Sequence, residues 1–584
     1  MNFDLAHVPF SCAGAYLSFN RLTPQRAREL RKTPALYLRT VHGGVDMRER
    51  ELFRVELLQQ GKPIPAREVA SPEVLRLEGG GGHVEICFES ARVIRFRGQG
   101  VGLRLSAPTA AYDHALPVGN RCMVNLFRAR IQLMLTALAG SLRVRAPWRS
   151  PRSEFVRLEM TGPAWELALE EFQVAWRPPR HMPSFDLCVR SVRNDFAQWR
   201  GGAPELAAYV QWASLVGAQG QLRRPAMLMS KNWMPSVWSW DHCFNAMALA
   251  RPQPNLAWDQ LLIPFDHQHP SGMLPDAVND AEVVWNFTKP PIHGWAVGWM
   301  MRHSAAVTTE RLEAFYPKLV RWTHWWLKHR DDDRDGVPQY NHGNDSGWDN
   351  ASVFDRGLPV ESPDLSAYLV VQMDTLAAIA RKLGRHADAD RWSARANELL
   401  TRLLHHSWRG DGFVAPRSGT HQICRAAQCL INFIPLILGQ RLPKHVREKL
   451  VAGVKRHLTR HGLATEHPHS PHYQPDGYWR GPIWAPATML LVDGLRASDA
   501  APLAETVARR FCRSCERSGF AENFDALTGE GLRDRAYTWT ASVYRLLACP
   551  QPPPAKNPGS FLAGFCVPVK GWFSRSDAPP IPRG

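Results

Sequence analysis

The stretch DLSAYLVVQMDTLAAIARKLG, residues 364–384, indicates the fold class of most of the chain. Its apolar residues recur at spacings of three and four, which is the pattern of an amphipathic helix. Comparable segments occupy residues 389–408, 443–458 and 500–519. The loops between such segments are conspicuous and rich in Gly, Pro, His and Trp. Many helices joined in this way predict an all-α toroid rather than a bundle.

The first 180 or so residues follow a different period. In VLRLEGGGGHVEICFES, residues 74–90, apolar and polar residues alternate on either side of a glycine run. The same alternation occurs in residues 35–43, 52–61, 91–106 and 153–162, and 165–176 could continue it as a strand. Short alternating runs separated by Gly-rich turns predict an antiparallel β-sandwich.

These patterns divide the chain into four parts. We expect a β-sandwich domain over 1–185, a linker over 186–204, an all-α catalytic domain over 205–550 and a Pro-rich tail over 551–584. A chain of 584 residues exceeds one ordinary hydrophobic core, which agrees with two domains.

Composition excludes several classes of protein. The formal charge is +17, but the basic residues are spread along the chain without a Lys/Arg block, so we expect no nucleic-acid partner. No apolar run approaches the roughly 20 residues of a spanning helix, and the N-terminus does not resemble a signal peptide. Eleven scattered cysteines are typical of reduced thiols in the cytoplasm. The lone pair Cys512 and Cys515 is expected to share a helix face.

Tryptophan is concentrated where the loops carry acids and amides. Eleven of the 22 tryptophans fall between Trp233 and Trp348. An indole can stack on the apolar face of a sugar, while the sugar hydroxyls need acid and amide partners, so this mixture suits a carbohydrate pocket. The candidate contacts are Trp238, Trp240, Asp241, His242, Lys289, Trp348, Tyr478, Trp479 and Arg480. Asp241 could instead serve only as a helix cap.

Two carboxyl groups, Asp349 and Glu522, meet the requirement of glycosidic bond hydrolysis. One carboxyl protonates the leaving oxygen, and the other activates water or attacks the sugar. Trp348 beside Asp349 would desolvate the acid and raise its pKa, as a general acid requires. The competing interpretation is that Asp349 only ties its loop to nearby backbone.

Five motifs, taken in order, resemble glycoside hydrolase family 63 and its neighbours. They are W-S-W-D at 238–241, K-P-P at 289–291, S-G-W-D-N at 346–350, Y-W-R-G-P-I-W at 478–484 and E-N-F-D-A-L-T-G-E at 522–530. This group includes processing α-glucosidase I, bacterial α-glucosidases and mannosylglycerate hydrolase. The resemblance covers roughly 205–550. It implies an (α/α)6 barrel, an inverting mechanism and no organic cofactor, often with an N-terminal β-sandwich.

The resemblance also implies roles for particular residues. Asp349 matches the family's general acid and Glu522 its general base, while Asp241 matches a sugar-binding aspartate. Trp348, Tyr478, Trp479 and Arg480 match positions that line the pocket.

Two departures stand out from the family pattern. Lys289 replaces a common Gln and could meet a substrate carboxylate or alter sugar preference. Asp345 replaces a common Glu.

One further motif, DDDRDGVPQY, imitates the start of a calcium loop through Asp331, Asp333 and Asp335. Its twelfth position is His342 rather than Glu, so the bidentate ligand is missing. An acidic turn without a metal is therefore the preferred interpretation, and no metal or cofactor is expected.

The sequence favours an inverting exo-α-glycosidase acting on an α-glucoside or related α-glycoside in the cytoplasm, with a small glycoside or oligosaccharide as its only expected partner. A trehalase-like hydrolase, or a phosphorylase with Arg480 and Lys289 holding phosphate, remains an alternative on the same barrel. A carbohydrate-binding protein without activity is the alternative outside the enzymes.

Overall fold

The structure is a computed structural model that describes residues 1–45, 49–176, 178 and 182–548. Within these residues the chain is β-rich up to residue 172 and mainly helical from residue 185 onward, as the sequence predicts. The Pro-rich tail predicted over 551–584 lies outside the described residues. None of the described helices is both long and apolar enough to span a membrane.

The N-terminal part is built from antiparallel strands. In chain order they are β1 (Leu17–Arg21), β2 (Leu36–Thr40), β3 (Glu51–Gln59), β4 (Lys62–Ile64), β5 (Arg67–Ala70), β6 (Leu75–Gly79), β7 (Gly82–Ser90), β8 (Val93–Gln99), β9 (Gly102–Pro108), β10 (His114–Val118), β11 (Arg121–Leu126), β12 (Ile131–Arg145), β13 (Trp148–Arg149), β14 (Arg152–Ser153) and β15 (Phe155–Phe172). The glycine run 79–82 closes the β6–β7 hairpin, with Gly79 opposite Gly82.

The long strand β15 joins two branches of one continuous sheet. Its first half pairs with β9, which leads to β3, β2 and β1, and its second half pairs with β8, which leads to β7, β6 and β5. Phe19 on β1 and Phe96 on β8 lie 6.1 Å apart, so the two branches pack face to face. The predicted sandwich is thus observed as one antiparallel sheet whose two branches share strands.

A bend in the shared strands allows this arrangement. The register between β12 and β15 shifts at Ala137–Ser141, where Gly140 has a φ of 81° and packs against Trp165. The extra residue of a β-bulge bends a strand and so lets one strand serve both layers. The sequence predicts the separate runs of alternating residues but not this sharing.

The helical part accounts for most of the remaining chain. One short helix, α1 (Pro24–Glu29), belongs to the N-terminal part. The helices of the helical part are α2 (Phe185–Arg200), α3 (Glu205–Ala213), α4 (Asp241–Leu249), α5 (Pro254–Leu262), α6 (His293–His303), α7 (Thr309–His329), α8 (Pro363–Lys382), α9 (His386–Ser407), α10 (Lys444–His457), α11 (Ala485–Ala497), α12 (Ala501–Ser518) and α13 (Thr538–Ala548). The four helices predicted from periodicity are α8, α9, α10 and α12. Helix α2 occupies most of the predicted linker and packs on β7.

Short elements complete the described chain. The two-residue strands are β16 (Leu215–Val216), β17 (Ala226–Met227), β18 (Val237–Trp238), β19 (Ala277–Val278), β20 (Val283–Val284), β21 (Asn523–Phe524) and β22 (Gly531–Leu532). The 3₁₀ segments are Phe127–Ala129, Pro264–His267, Gly343–Ser346, Ser352–Phe354 and Leu430–Arg441.

Six helical segments contact one another in a closed cycle. Helix α4 packs on α6, α6 on α8, α8 on the 430–441 segment, that segment on α11, α11 on α13, and α13 on α4. A second set lies against this cycle, with α5, α7, α9, α10, α12 and α3 each contacting at least one of its members. Helix α4 is buried along its whole length, and α8 is covered on nearly every face.

Candidate active site

The predicted site residues lie in the loops that lead into members of the closed cycle. Asp241 begins α4, Lys289 precedes α6, Asp349 precedes α8, and Glu522 precedes α13. The loop with Tyr478 precedes α11 in the same way. Helices that start beside one another bring their preceding loops together, so residues almost 300 positions apart in sequence share one site.

Glu522 and Asp349 lie within electrostatic reach of each other. Glu522 is 7% exposed, and the Tyr478 hydroxyl hydrogen-bonds to it. Burial raises the pKa of Glu522 to about 8, assisted by the carboxylates of Asp534 and Asp349. Arg533 and the Tyr478 hydrogen bond act in the opposite direction. A buried carboxyl with like charges nearby holds its proton, which makes this group a candidate for proton transfer.

Asp349 is half-buried, and its pKa is also raised. Burial is the largest cause, and the nearby Lys289 ammonium opposes it. The sequence attributes this desolvation to Trp348. The indole is fully buried and contributes to an enclosed environment, but it packs on Trp479 with ring centroids 4.7 Å apart.

Trp348 and Trp479 belong to an aromatic cluster rather than to an exposed stacking surface. Trp479 lies parallel to Trp484 at 4.0 Å, and Trp240 contacts Trp479 at 6.3 Å. Trp240, Trp348 and Trp479 are each 2% exposed or less. Their predicted contact with a sugar is therefore not available in this conformation, whereas Trp238 and Tyr478 remain partly exposed.

Lys289 is a buried counter-ion for the acidic residues of the site. Its ammonium lies 3.1 Å from Asp276 and donates to both the carbonyl and the side-chain oxygen of Asn344. The ammonium is therefore engaged within the protein by one carboxylate and two amide oxygens. A substrate carboxylate would have to compete with these contacts. The ammonium lowers the pKa values of Asp276, Asp349 and Asp241 against the effect of burial.

Arg480 joins two loops of the site. Its guanidinium forms a two-pronged ion pair with Asp355 and donates to the Asn350 carbonyl at 2.7 Å. The Asn350 side chain in turn donates to Gly477 and accepts from the Trp479 backbone, both at 3.0 Å. Arg480 thus acts as a clamp on the loop of Asp349, and its predicted substrate contact stays a prediction.

Asp241 faces the other acids, and His242 does not. Burial raises the pKa of Asp241 to about 8, with Asp276 and Asp349 adding to the effect. One of its carboxylate oxygens is buried without a hydrogen-bond partner, so Asp241 is more than a helix cap. His242 is fully buried in the core beside His293, with ring centroids 5.2 Å apart, and it binds the Trp238 carbonyl. His242 therefore presents no exposed surface to a sugar in this conformation, and its predicted sugar contact stays a prediction.

The sequence missed several residues that surround Glu522. Arg533 lies over the Tyr478 ring, 5.0 Å from its centroid, and Asp534 and Tyr537 are buried near the carboxyl. The sequence could have indicated these residues, because they follow the E-N-F-D motif closely along the chain. Asp276, the partner of Lys289, had no such signal.

The N-terminal antiparallel sheet is hydrogen-bonded to the residues that surround Glu522. Asn20 on β1 donates to Asn232, whose amide donates to Asp534 at 3.0 Å. The backbone N–H of Glu522 donates to the Asp534 carbonyl at 2.7 Å. A chain of hydrogen bonds therefore joins the N-terminal part to Glu522.

The raised pKa of Glu522 predicts that Glu522→Gln stabilises the protein increasingly as pH rises. Because the folded pKa, about 8, exceeds the ordinary value of 4.5, the folded state binds more protons between these values. The contribution of the Glu522 carboxyl to the free energy of unfolding is therefore fully present below pH 4.5 and is lost as pH rises through about 8. Gln has no proton to lose, so we expect its advantage to reach a few kcal/mol, at about 1.4 kcal/mol per pKa unit.

Thermal unfolding from pH 5 to pH 8.5 measures this difference. The matched control is Glu530→Gln, eight positions away, where the side chain is 63% exposed. A melting-temperature difference for Glu522→Gln that is independent of pH would contradict the assigned burial of the carboxyl.

Buried carboxyls among aromatic and amide groups define a site suited to acid–base chemistry on a carbohydrate. The family model described as "mannosylglycerate hydrolase MGH1-like glycoside hydrolase domain" matches residues 234–540. The chain belongs to this family and is an enzyme that hydrolyses glycosides. This agrees with the sequence resemblance, which includes mannosylglycerate hydrolase.

Individual relatives cover the same part of the chain. A mannosylglycerate hydrolase of Thermus thermophilus is 26% identical, covering 53% of this chain and 93% of the relative. A glucosylglycerate hydrolase of Mycolicibacterium hassiacum is 24% identical, over 53% of this chain and 91% of the relative. The crystal structure of a bacterial glucoamylase complexed with acarbose matches with a TM-score of 0.61, at 12% identity, over 93% of both chains. This last similarity concerns the fold and includes the N-terminal part.

Proposed function

We propose that the protein is an inverting hydrolase of an α-hexosyl glycerate, with Asp349 as general acid and Glu522 as general base. The observation that carries this proposal is a pair of carboxyls, each with its pKa raised mainly by burial, in loops that meet at one site, where the charge of Asp349 contributes to the raised pKa of Glu522. The glycerate aglycone is inferred from the names of the relatives, and it narrows the α-glucoside or related α-glycoside favoured by the sequence.

In the proposed mechanism Asp349 protonates the glycosidic oxygen as the bond to the aglycone breaks. Glu522 accepts a proton from a water molecule that attacks the anomeric carbon from the opposite face. This geometry requires carboxyls about 6.5–9.5 Å apart. The product sugar then has the β configuration. The Lys289 ammonium lowers the pKa values of Asp241, Asp276 and Asp349 against the effect of burial and so favours their ionised forms.

We also propose that the helical part is an (α/α)6 toroid over 205–550, capped by a β-sandwich over 1–185. The closed cycle of six segments, with six further helices packed against it, supports this architecture. Cytoplasmic residence is proposed because all nine described cysteines are free thiols, as expected in a reducing compartment.

The structure disfavours the phosphorylase alternative. That reaction requires cations for phosphate, and the sequence offered Arg480 and Lys289 for this role. Both cations are engaged, Arg480 with Asp355 and Lys289 with Asp276. Comparing mannosylglycerate, glucosylglycerate and trehalose, each with and without inorganic phosphate, tests the proposal. We expect glycerate release from one or both glycerate glycosides without phosphate; cleavage of trehalose alone would overturn it.

Arg533 is the cation that we expect to bind the glycerate carboxylate. Its side chain is 32% exposed, and its ion pair is with Asp476, which is 64% exposed. Such exposed pairs contribute little, so a substrate carboxylate can replace this partner. Arg533→Gln should raise KM for the glycerate glycoside by about 10- to 100-fold, because a hydrogen bond to a charged group is worth about 1.5–3 kcal/mol.

The matched control is the substrate rather than a second protein. The corresponding glycosyl glycerol has no carboxylate, and Arg533→Gln should change its KM much less. Because Arg533 also lowers the pKa of Glu522, an effect on general-base catalysis would appear with both substrates. Equal losses on the two substrates would exclude Arg533 as the carboxylate contact.

A further inference from the structure

Glu361, immediately before α8, is a buried carboxylate without an ordinary partner. Its side chain is fully buried, and neither carboxylate oxygen has a hydrogen-bond partner. The His406 Nε2 atom lies 2.7 Å from Oε2 as an ion-pair contact, and Glu361 raises the pKa of His406 against the effect of burial, but neither atom makes a hydrogen bond. An uncompensated buried carboxylate costs several kcal/mol, so the surroundings should contain a compensating group.

Three further side chains converge on Glu361. His406 Nδ1 lies 3.4 Å from Asp335 Oδ2. His421 Nε2 lies 3.8 Å from Asp335 Oδ2 and 3.9 Å from Glu361 Oε2, and it is nearer still, at 3.4 Å, to Asp333 Oδ2. One ligand atom from each of the four residues lies within 4.8 Å of the other three.

The cluster is compact enough for small side-chain movements to bring its four ligand atoms onto one metal ion. Ligand bonds of about 2.0–2.2 Å place tetrahedral donors roughly 3.3–3.6 Å apart, so the 2.7 Å contact would lengthen and the contacts of 3.8 and 3.9 Å would shorten. The set combines two imidazoles with two carboxylates, whose charges balance a divalent cation. Imidazole ligands favour zinc and similar transition metals over calcium or magnesium.

We propose that Asp335, Glu361, His406 and His421 bind a divalent transition metal of the zinc class. The site is separate from the pair Asp349 and Glu522, and no step of hydrolysis passes through it. A closed set of four protein ligands is typical of a structural metal.

The position of the cluster gives this metal a role in holding the active-site loop. Asp335 lies on the segment between α7 and the loop of Asp349, whereas His406 is in the last turn of α9. The backbone of Val360 forms isolated antiparallel β-bridges with Tyr340 and with Arg417. The metal would join these same segments a second time through side chains.

The calcium-like turn is a competing occupant of this region. Asp331, Asp333 and Asp335 also converge. However, Asp333 accepts a hydrogen bond from the Gly419 backbone at 2.7 Å, and histidine is not a usual ligand of calcium. A calcium ion would need Asp331 but not His406, whereas the proposed zinc ion would need His406 but not Asp331.

Metal analysis of the full chain tests the proposal. The protein, freed of any histidine tag, would be stripped with a chelator, desalted and titrated with zinc against a chromophoric chelator. We expect one tightly bound zinc per chain and a higher melting temperature. His406→Gln and His421→Gln should each weaken zinc binding by about 100-fold or more, whereas the neighbouring exposed His405→Gln should not.

His421 is 49% exposed, so its variant should fold even where His406→Gln does not, and circular dichroism checks both. Asp331→Asn should leave zinc binding unchanged. Calcium binding that is lost in Asp331→Asn and retained in His406→Gln would overturn the proposal in favour of a calcium turn. Failure of the wild type to bind zinc would also overturn it and leave an ion-pair cluster.

Discussion

Asp349→Asn and Glu522→Gln are each expected to lower kcat on the glycerate glycoside by about 10²- to 10⁴-fold. Both changes remove a proton-transfer group while keeping the shape of the side chain, and such groups contribute about 10² to 10⁴. The decrease should fall on kcat rather than on KM, because the sugar contacts remain. Initial rates at saturating substrate measure it, with Glu530→Gln as the exposed control in the segment of Glu522.

A substrate with an activated leaving group separates the two roles. The nitrophenolate group of a nitrophenyl glycoside leaves without being protonated. The Asp349→Asn variant should therefore recover much of the enzyme's activity on this substrate. Glu522→Gln should not recover, because water still needs a base. Recovery by Glu522→Gln instead would show that the acid and base are assigned the wrong way round.

Gly347→Ala is expected to abolish most activity and to destabilise the protein by about 2–5 kcal/mol. Gly347 has a φ of 72°, and an added Cβ would lie 2.4 Å from the Trp240 ring. The left-handed conformation costs a non-glycine residue about 1–2 kcal/mol, and overpacking adds about 1–3 kcal/mol. Because Asp349 is two residues further along, relief of the clash would displace the proposed acid.

Gly384→Ala is the matched control for this prediction. Gly384 follows α8 with the same φ of 72°, but nothing lies within 4 Å of its added Cβ. This variant should lose only the conformational cost and should retain activity. Denaturant unfolding and initial rates for the two variants separate backbone strain from the contact with Trp240. Equal losses in both would contradict the proposed packing of the loop.

Local pattern was enough to predict the elements that depend on nearby residues. Helix α8 follows from the apolar spacing of 364–384, from Pro363 at its first turn and from Gly384 after its last. The β6–β7 hairpin follows from the glycine run between two alternating segments. The order of the two regions follows from the change of period near residue 185.

Contacts between distant segments were beyond the same reasoning. The sequence suggested Lys289 as a cation for substrate, but Asp276 and Asn344 engage it only after folding. It suggested Trp348 and Trp479 for stacking, but packing among five tryptophans buries them. The shared strand β15 likewise depends on a bulge whose position no alternating pattern reveals.

The most direct test of the proposed mechanism is proton NMR of the wild-type enzyme during the first turnovers of α-mannosylglycerate and α-glucosylglycerate. Asp349→Asn and Glu522→Gln would be followed under the same conditions. We predict that wild type releases the β-anomer first from at least one substrate and that neither variant does. Initial release of the α-anomer, or turnover that persists in both variants, would contradict an inverting mechanism based on Asp349 and Glu522.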